Sequence, residues 1–138
     1  MNINWKPTYI PGDLVYNHKG EVIRITSSYL KGTRLFYYKT DEISESTGCI
    51  LEEALKPIPL TPEILEKNGW TCYRSEGECF GHRWYKHQEY PFTLRCNNFL
   101  KIYGVSFNDG KDDTVMIKCV DELQHILYGL QLDSNLKI

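Results

Sequence analysis

Apolar residues recur along this chain at two spacings, and the change between them marks its elements. Glu21-Val22-Ile23-Arg24-Ile25-Thr26 alternates with a period of two. That pattern predicts a strand with Ile23 and Ile25 on one side and Val22, Arg24 and Thr26 on the other. Pro11-Gly12-Asp13 is a turn leading into Leu14-Val15-Tyr16, Asn17–Gly20 is a second turn, and Lys31-Gly32 a third. Thr33–Tyr38 reads as the next strand, and a short one runs through Cys49, Ile50 and Leu51. Short strands at this spacing predict a small twisted or barrel-like meander.

The stretch KPIPLTPEILEKNGW, from Lys56 to Trp70, interrupts the alternation. Pro57 and Pro59 hold the chain extended. Thr61 is the predicted N-cap of a short helix, with Pro62 at its first position and Gly69 just past its end. Less than two turns long, that helix must dock through Ile64, Leu65 and Trp70 to persist.

Strand patterning then resumes. Trp70–Tyr73 starts a strand, Ser75–Glu78 is a loop, and Arg83–Tyr90 is an aromatic strand broken by Pro91. Phe92, Leu94 and Cys96 share a face, Asn97-Asn98 suits a two-residue turn, and Phe99–Phe107 returns with Leu100 and Ile102 as the expected inner pair. Thr114–Cys119 is a last strand after the polar loop 108–113. Val120, Leu123, Ile126, Leu127 and Leu130 fall at helical spacing, leaving Asp121, Glu122, Gln124, His125 and Gln131 on the other face. Asp121 and Gln124 have the spacing of a capping box.

The expected class is therefore α+β: a small N-terminal β meander, residues 1–57, followed by an antiparallel sheet with one short and one longer C-terminal helix, residues 58–138. With 41% hydrophobic and 13% aromatic residues in 138, a real core is within reach. No apolar run approaches the roughly 18 residues of a membrane span. The N-terminus has no charged-then-apolar leader pattern, which makes the cytoplasm the expected location.

The net charge of −2 argues against a general polyanion binder. Its distribution is uneven, however. Lys19, Arg24, Lys31, Arg34 and Lys39 face only Glu21 in their stretch, whereas Asp41, Glu42, Glu45, Glu52 and Glu53 follow without a basic residue. The two patches are expected to neutralise each other. The alternative is a nucleic-acid face on which Lys19, Arg24, Lys31 and Arg34 hold phosphates while Tyr37 and Tyr38 stack bases, extended by Arg83, Trp84 and Lys86.

Five scattered cysteines without a CxxC pair read as reduced thiols. Cys72, Cys79, His82 and His87 nevertheless form C-x6-C-x2-H-x4-H, a candidate zinc set, because zinc takes four N/S ligands in a tetrahedron. No other cofactor is expected. Glu122 and His125 have the E-x-x-H spacing of di-iron bundles but lack partner helices. Loop 108–113 lacks the ligand alternation of a calcium loop. Neither G-x-S-x-G nor a phosphate loop occurs, and a Cys–His pair such as Cys119 with His125, or Cys96 with His87, is the remaining route to nucleophilic catalysis.

PGDLVYNHKGEVIRIT resembles the opening hairpin of SH3-like barrels, some of which bind nucleic acid and others peptides. PIPLTPEILEKNGW followed by an aromatic strand region and IKCVDELQHILYGL resembles a family of small uncharacterised proteins carried by phages and mobile elements of gut anaerobes, across residues 56–130. Together these readings imply a non-enzymatic interaction or accessory protein acting by protein–protein contacts, self-association included. A nucleic-acid-binding module and a zinc-stabilised domain are the alternatives.

Overall fold

A computed structural model describes residues 8–31, 35–41, 49–77, 81–107 and 113–138. The fold is α+β, with two antiparallel five-stranded sheets and two helices, the longer one C-terminal. The chain forms two compact units, residues 1–58 and 59–138. Among the described residues no helix is long and apolar enough to cross a membrane.

In the first unit β1 (Leu14–Tyr16), β2 (Val22–Lys31), β3 (Leu35–Thr40), β4 (Ile50–Leu51) and β5 (Lys56–Pro57) lie in the order β4-β3-β2-β1-β5. The last strand thus returns to pair with the first. A 3-10 turn, Glu52–Ala54, makes that return. The long β2 pairs with β1 through Val22–Arg24 and with β3 from Ile25 onward, with a register shift between Ile25 and Ser27. The turn before it is held by Asn17, whose Oδ1 accepts the amides of Lys19 and Glu21, each at 2.9 Å. Ile23 and Ile25 face inward as their alternation predicts and pack with Tyr9, Val15, Tyr38 and Leu55, while Val22 is exposed. The expected Lys31-Gly32 turn and the start of the third strand at Thr33 extend outside the described residues. That strand runs on past Tyr38 to Thr40.

The second unit opens on α1 (Pro62–Lys67). The Thr61 hydroxyl accepts the Ile64 amide at 3.3 Å, Pro62 takes the first turn, and Ile64, Leu65 and Trp70 are buried. Gly69, at φ +88°, turns the chain so that its amide reaches Glu66 O and the Trp70 amide reaches Leu65 O. This is a Schellman end, which needs a left-handed residue at that point.

Five strands follow as a meander, β6 (Thr71–Glu76), β7 (His82–Lys86), β8 (Thr93–Asn97), β9 (Ile102–Ser106) and β10 (Val115–Ile117). β6 reaches Glu76, two residues into the expected loop, and the aromatic strand stops at Lys86 rather than Tyr90. The turn between β8 and β9 is longer than two residues. Asn97 Oδ1 accepts the amides of Phe99 and Leu100, and Lys101 adopts the left-handed conformation at φ +58°. That longer turn resets the register, so Tyr103 and Val105 are the inner pair and Leu100 is exposed. A one-residue change of phase moves every side chain to the other face.

α2 (Val120–Gly129) buries Val120, Leu123 and Leu127 but leaves Leu130 exposed. Asp121 and Gln124 are buried as well, against expectation, and Gln124 Nε2 donates to Ser134 O at 2.9 Å. The helix starts without a side-chain N-cap at Cys119. Glu122 rather than Gln124 reaches back, accepting the Lys118 amide at 3.1 Å. Its far end repeats the Schellman geometry with Gln131 at φ +60°, the Leu132 amide on Leu127 O and the Gln131 amide on Tyr128 O.

Candidate interaction site

The register of the first sheet sets Tyr29 opposite Tyr37 and Tyr37 opposite Leu51. Residues on one rung of an antiparallel sheet point the same way, and their neighbours along each strand point the other way. Since Tyr38, Phe36 and Ile50 turn into the core, the Tyr29–Tyr37–Leu51 rung lies on the opposite, outer face. Tyr29 and Leu51 are 42% and 38% exposed, and Tyr37 between them is half-buried. Lys39, two residues from Tyr37 and so on the same face, sets its Nζ 5.5 Å from the Tyr29 ring centroid, a cation–π contact. Tyr29, Leu30, Tyr37 and Cys49 enclose a concavity of about 430 Å³.

Tyr38 belongs to the core. It is fully buried, meets the Tyr9 ring edge-on at 5.5 Å, and donates its hydroxyl to Glu52 Oε1 at 2.6 Å. Burial, and then that hydrogen bond, push the phenol pKa well above its ordinary value. With both ring faces enclosed it has no surface on which to stack a base, so Tyr38 leaves the expected nucleic-acid set while Tyr37 stays. Lys19 is exposed in the turn after β1. Arg24 is half-buried, and its backbone amide donates to Asp41 Oδ1 at 2.9 Å. Of the others, Lys31 ends β2, and Arg34 lies outside the described residues.

Strand alternation also divides the second basic group. Arg83 pairs with Cys96, which pairs with Tyr103, on the buried face of the second sheet. Trp84 and Lys86 point the other way. There Arg74 lies over the Trp84 ring, Cζ 4.5 Å from its centroid, and Lys86 lies 5.3 Å from the Tyr73 centroid. Trp84 is buried beneath that cover, so Arg83, Trp84 and Lys86 do not make one surface.

The zinc set is not assembled by its described members. His82 pairs with Glu76 at one end of the β6–β7 hairpin, while Cys72 pairs with Tyr85 toward the other. His87 lies beyond that end, five residues and roughly 16 Å along an extended chain from His82. Both His87 nitrogens are already engaged. Nε2 donates to Asn68 O at 3.0 Å, since a carbonyl can only accept, and Nδ1 accepts the Glu89 amide at 3.1 Å. Its ring also stacks on Tyr90 with centroids 3.9 Å apart. Cys79 lies outside the described residues.

A groove of about 800 Å³ runs between Pro59–Glu63 and the side chains of Arg83, Cys96, Lys101 and Tyr103. Burial raises the pKa of Cys96, and burial followed by the carboxylates of Asp121 and Glu122 pushes Cys119 up to about 11. A nucleophilic thiol needs the opposite shift. Glu122 spends its carboxylate on the Lys118 amide.

Pairing register, not composition, assembles the Tyr29–Tyr37–Leu51 rung. The available signal was the exposed phase of two aromatic strands. Comparison with protein-family models, with curated proteins and with solved structures finds no match for this chain.

Proposed function

We propose that the protein acts by protein–protein contacts, without catalysis, and that the outer rung Tyr29–Tyr37–Leu51 is its contact surface. An accessory role in a phage or mobile element, as the resemblance across residues 56–130 implies, is part of this reading. The observation that carries it is the rung Tyr29–Tyr37–Leu51, set across three strands on the face opposite the buried core. Rigid tyrosines lose little entropy on binding and recur at interface hot spots. The strand order β4-β3-β2-β1-β5, with a 3-10 turn before the returning strand, supports an SH3-like description of this unit.

The test is site-specific photo-crosslinking in cells that produce the protein, with the crosslinker at position 37 and, as control, at exposed Lys118. One defined protein captured from position 37, absent from position 118, and bound at least tenfold more weakly after Tyr29→Ala with Leu51→Ala supports the reading. The same capture pattern from both positions overturns it.

Lys39 beside Tyr29 and Tyr37 favours a second reading, a single-stranded nucleic acid stacked on the two rings with a phosphate at the lysine. Binding of labelled oligonucleotides at two salt concentrations separates the two. A nucleic-acid face loses affinity steeply with salt and loses it again in Tyr29→Ala/Tyr37→Ala/Lys39→Ala.

A further inference from the structure

The edge strand of a sheet carries a row of unpaired amides and carbonyls, and proteins blunt such edges by shortening, charging or covering them. Among the described residues three of the four sheet edges are short: β4 and β5 have two residues each and β10 three. β6 has six, all exposed, with neither proline nor lysine among them. A register shift between Cys72 and Arg74 leaves Tyr73 as an irregularity, so Arg74-Ser75-Glu76 is the regular run. Arg74 and Glu76 share a face and pair with each other, Nε to Oε1 at 3.0 Å, both side chains more than half exposed.

We propose that β6 pairs antiparallel with β6 of a second copy across a two-fold axis at Ser75. In that register Ser75 faces its own counterpart and Arg74 faces Glu76 of the partner strand twice over. The two ion pairs within the chains become a four-charge network. Neighbouring registers lack this match. An axis at Arg74 sets two arginines against each other, and an axis at Tyr73 falls on the irregularity and forms no ion pair. The charge pattern of the strand is therefore complementary to itself in one alignment. Gly77, at φ +71°, ends the extended run, so the seam is short and the association weak and concentration-dependent. It uses neither Tyr29 nor Tyr37 and stands apart from the function proposed above.

Sedimentation equilibrium of the full chain tests it, with Arg74→Glu, Glu76→Arg and their equimolar mixture beside the wild type. Arg74→Glu alone confronts acid with acid, and Glu76→Arg alone confronts base with base. Each then self-associates roughly tenfold more weakly or less. In the mixture every charged rung is again opposite in sign, and association returns to the wild-type level. A wild type that stays monomeric up to millimolar concentration overturns the proposal. So do single variants that associate like the wild type, or a mixture no stronger than its components. Should either charge variant fail to fold, Ser75→Cys replaces them. The rung geometry predicts a dimer linked through position 75 under mild oxidation, mapped by mass spectrometry, and its absence overturns the register.

Discussion

Asn68 grips the backbone of Lys137 from both sides. Its Nδ2 donates to Lys137 O at 2.8 Å and its Oδ1 accepts the Lys137 amide at 2.8 Å, so one side-chain amide imitates a strand neighbour. The same Nδ2 donates to Ile64 O at 2.7 Å, satisfying a carbonyl at the end of α1. The C-terminal segment is thereby tied to α1, with Leu136 buried beside the tie.

Asn68→Ala removes all three hydrogen bonds and is expected to cost about 2 kcal/mol of stability, since each is worth about 0.5–1.5 kcal/mol net and the site is part-buried. Asn68→Asp is expected to be no better, because a carboxylate would face the carbonyls of Ile64 and Lys137. Urea unfolding measures both, and a change below about 0.3 kcal/mol for the alanine variant would show that the tail is not held there.

Gly69 meets two demands at once. Its φ of +88° disfavours any side chain, and a Cβ would stand 2.8 Å from His87 Nε2. Gly69→Ala is expected to cost about 1–3 kcal/mol, part backbone strain and part overlap. In a His87→Ala background the overlap disappears, so the same substitution is expected to cost visibly less. Equal costs in the two backgrounds would leave backbone strain as the whole effect.

Gln131 holds a left-handed position that glycine holds in α1. Gln131→Gly is expected to stabilise the chain by about 1 kcal/mol, less the extra freedom glycine gives the unfolded state. Calorimetry is expected to show a melting temperature higher by about 2–4 °C. An unchanged or lowered value would mean that the glutamine side chain makes compensating contacts.

Alkaline pH is expected to weaken the fold. Cys119 has a folded pKa of about 11 against an ordinary 9, mainly through burial. A group whose pKa rises on folding favours the native state below its unfolded pKa, and that contribution is lost as pH climbs through the folded value. Stability is therefore expected to fall between about pH 9 and 11, and less steeply in Cys119→Ala. At pH 8 the exposed Cys72 and Cys49 are expected to react with a thiol reagent before Cys96 and Cys119. Mass-spectrometric mapping of the labelled sites reads that order, and early labelling of Cys96 would contradict it.

Local chemistry was legible in the chain itself. The Thr61 cap, Pro62 in the first turn and Gly69 at the exit of α1 are consequences of bonds within a few residues. The inward phase of Ile23 and Ile25 follows from a period of two. Where a long-range partner decides, the same reasoning failed. Leu100 has the composition of a core residue, but Asn97 builds a longer turn that shifts the phase in favour of Tyr103 and Val105. Tyr37 and Tyr38 are indistinguishable as residue types, yet one faces Tyr29 on the outer surface and the other is enclosed with Glu52 and Tyr9.

The sequence by itself determined the α+β class, the succession of strands and helices and the ends of α1, because propensity, capping and alternation act over a few residues. Only the tertiary structure decided which aromatic residues remain available. Pairing register and turn length set which face of each strand is buried, and they depend on strands far apart in the chain. Tertiary pairing put Tyr29, Tyr37 and Leu51 on one outer rung, divided Arg83 from Trp84 and Lys86, and kept His82 at one end of β7 with His87 just beyond the other.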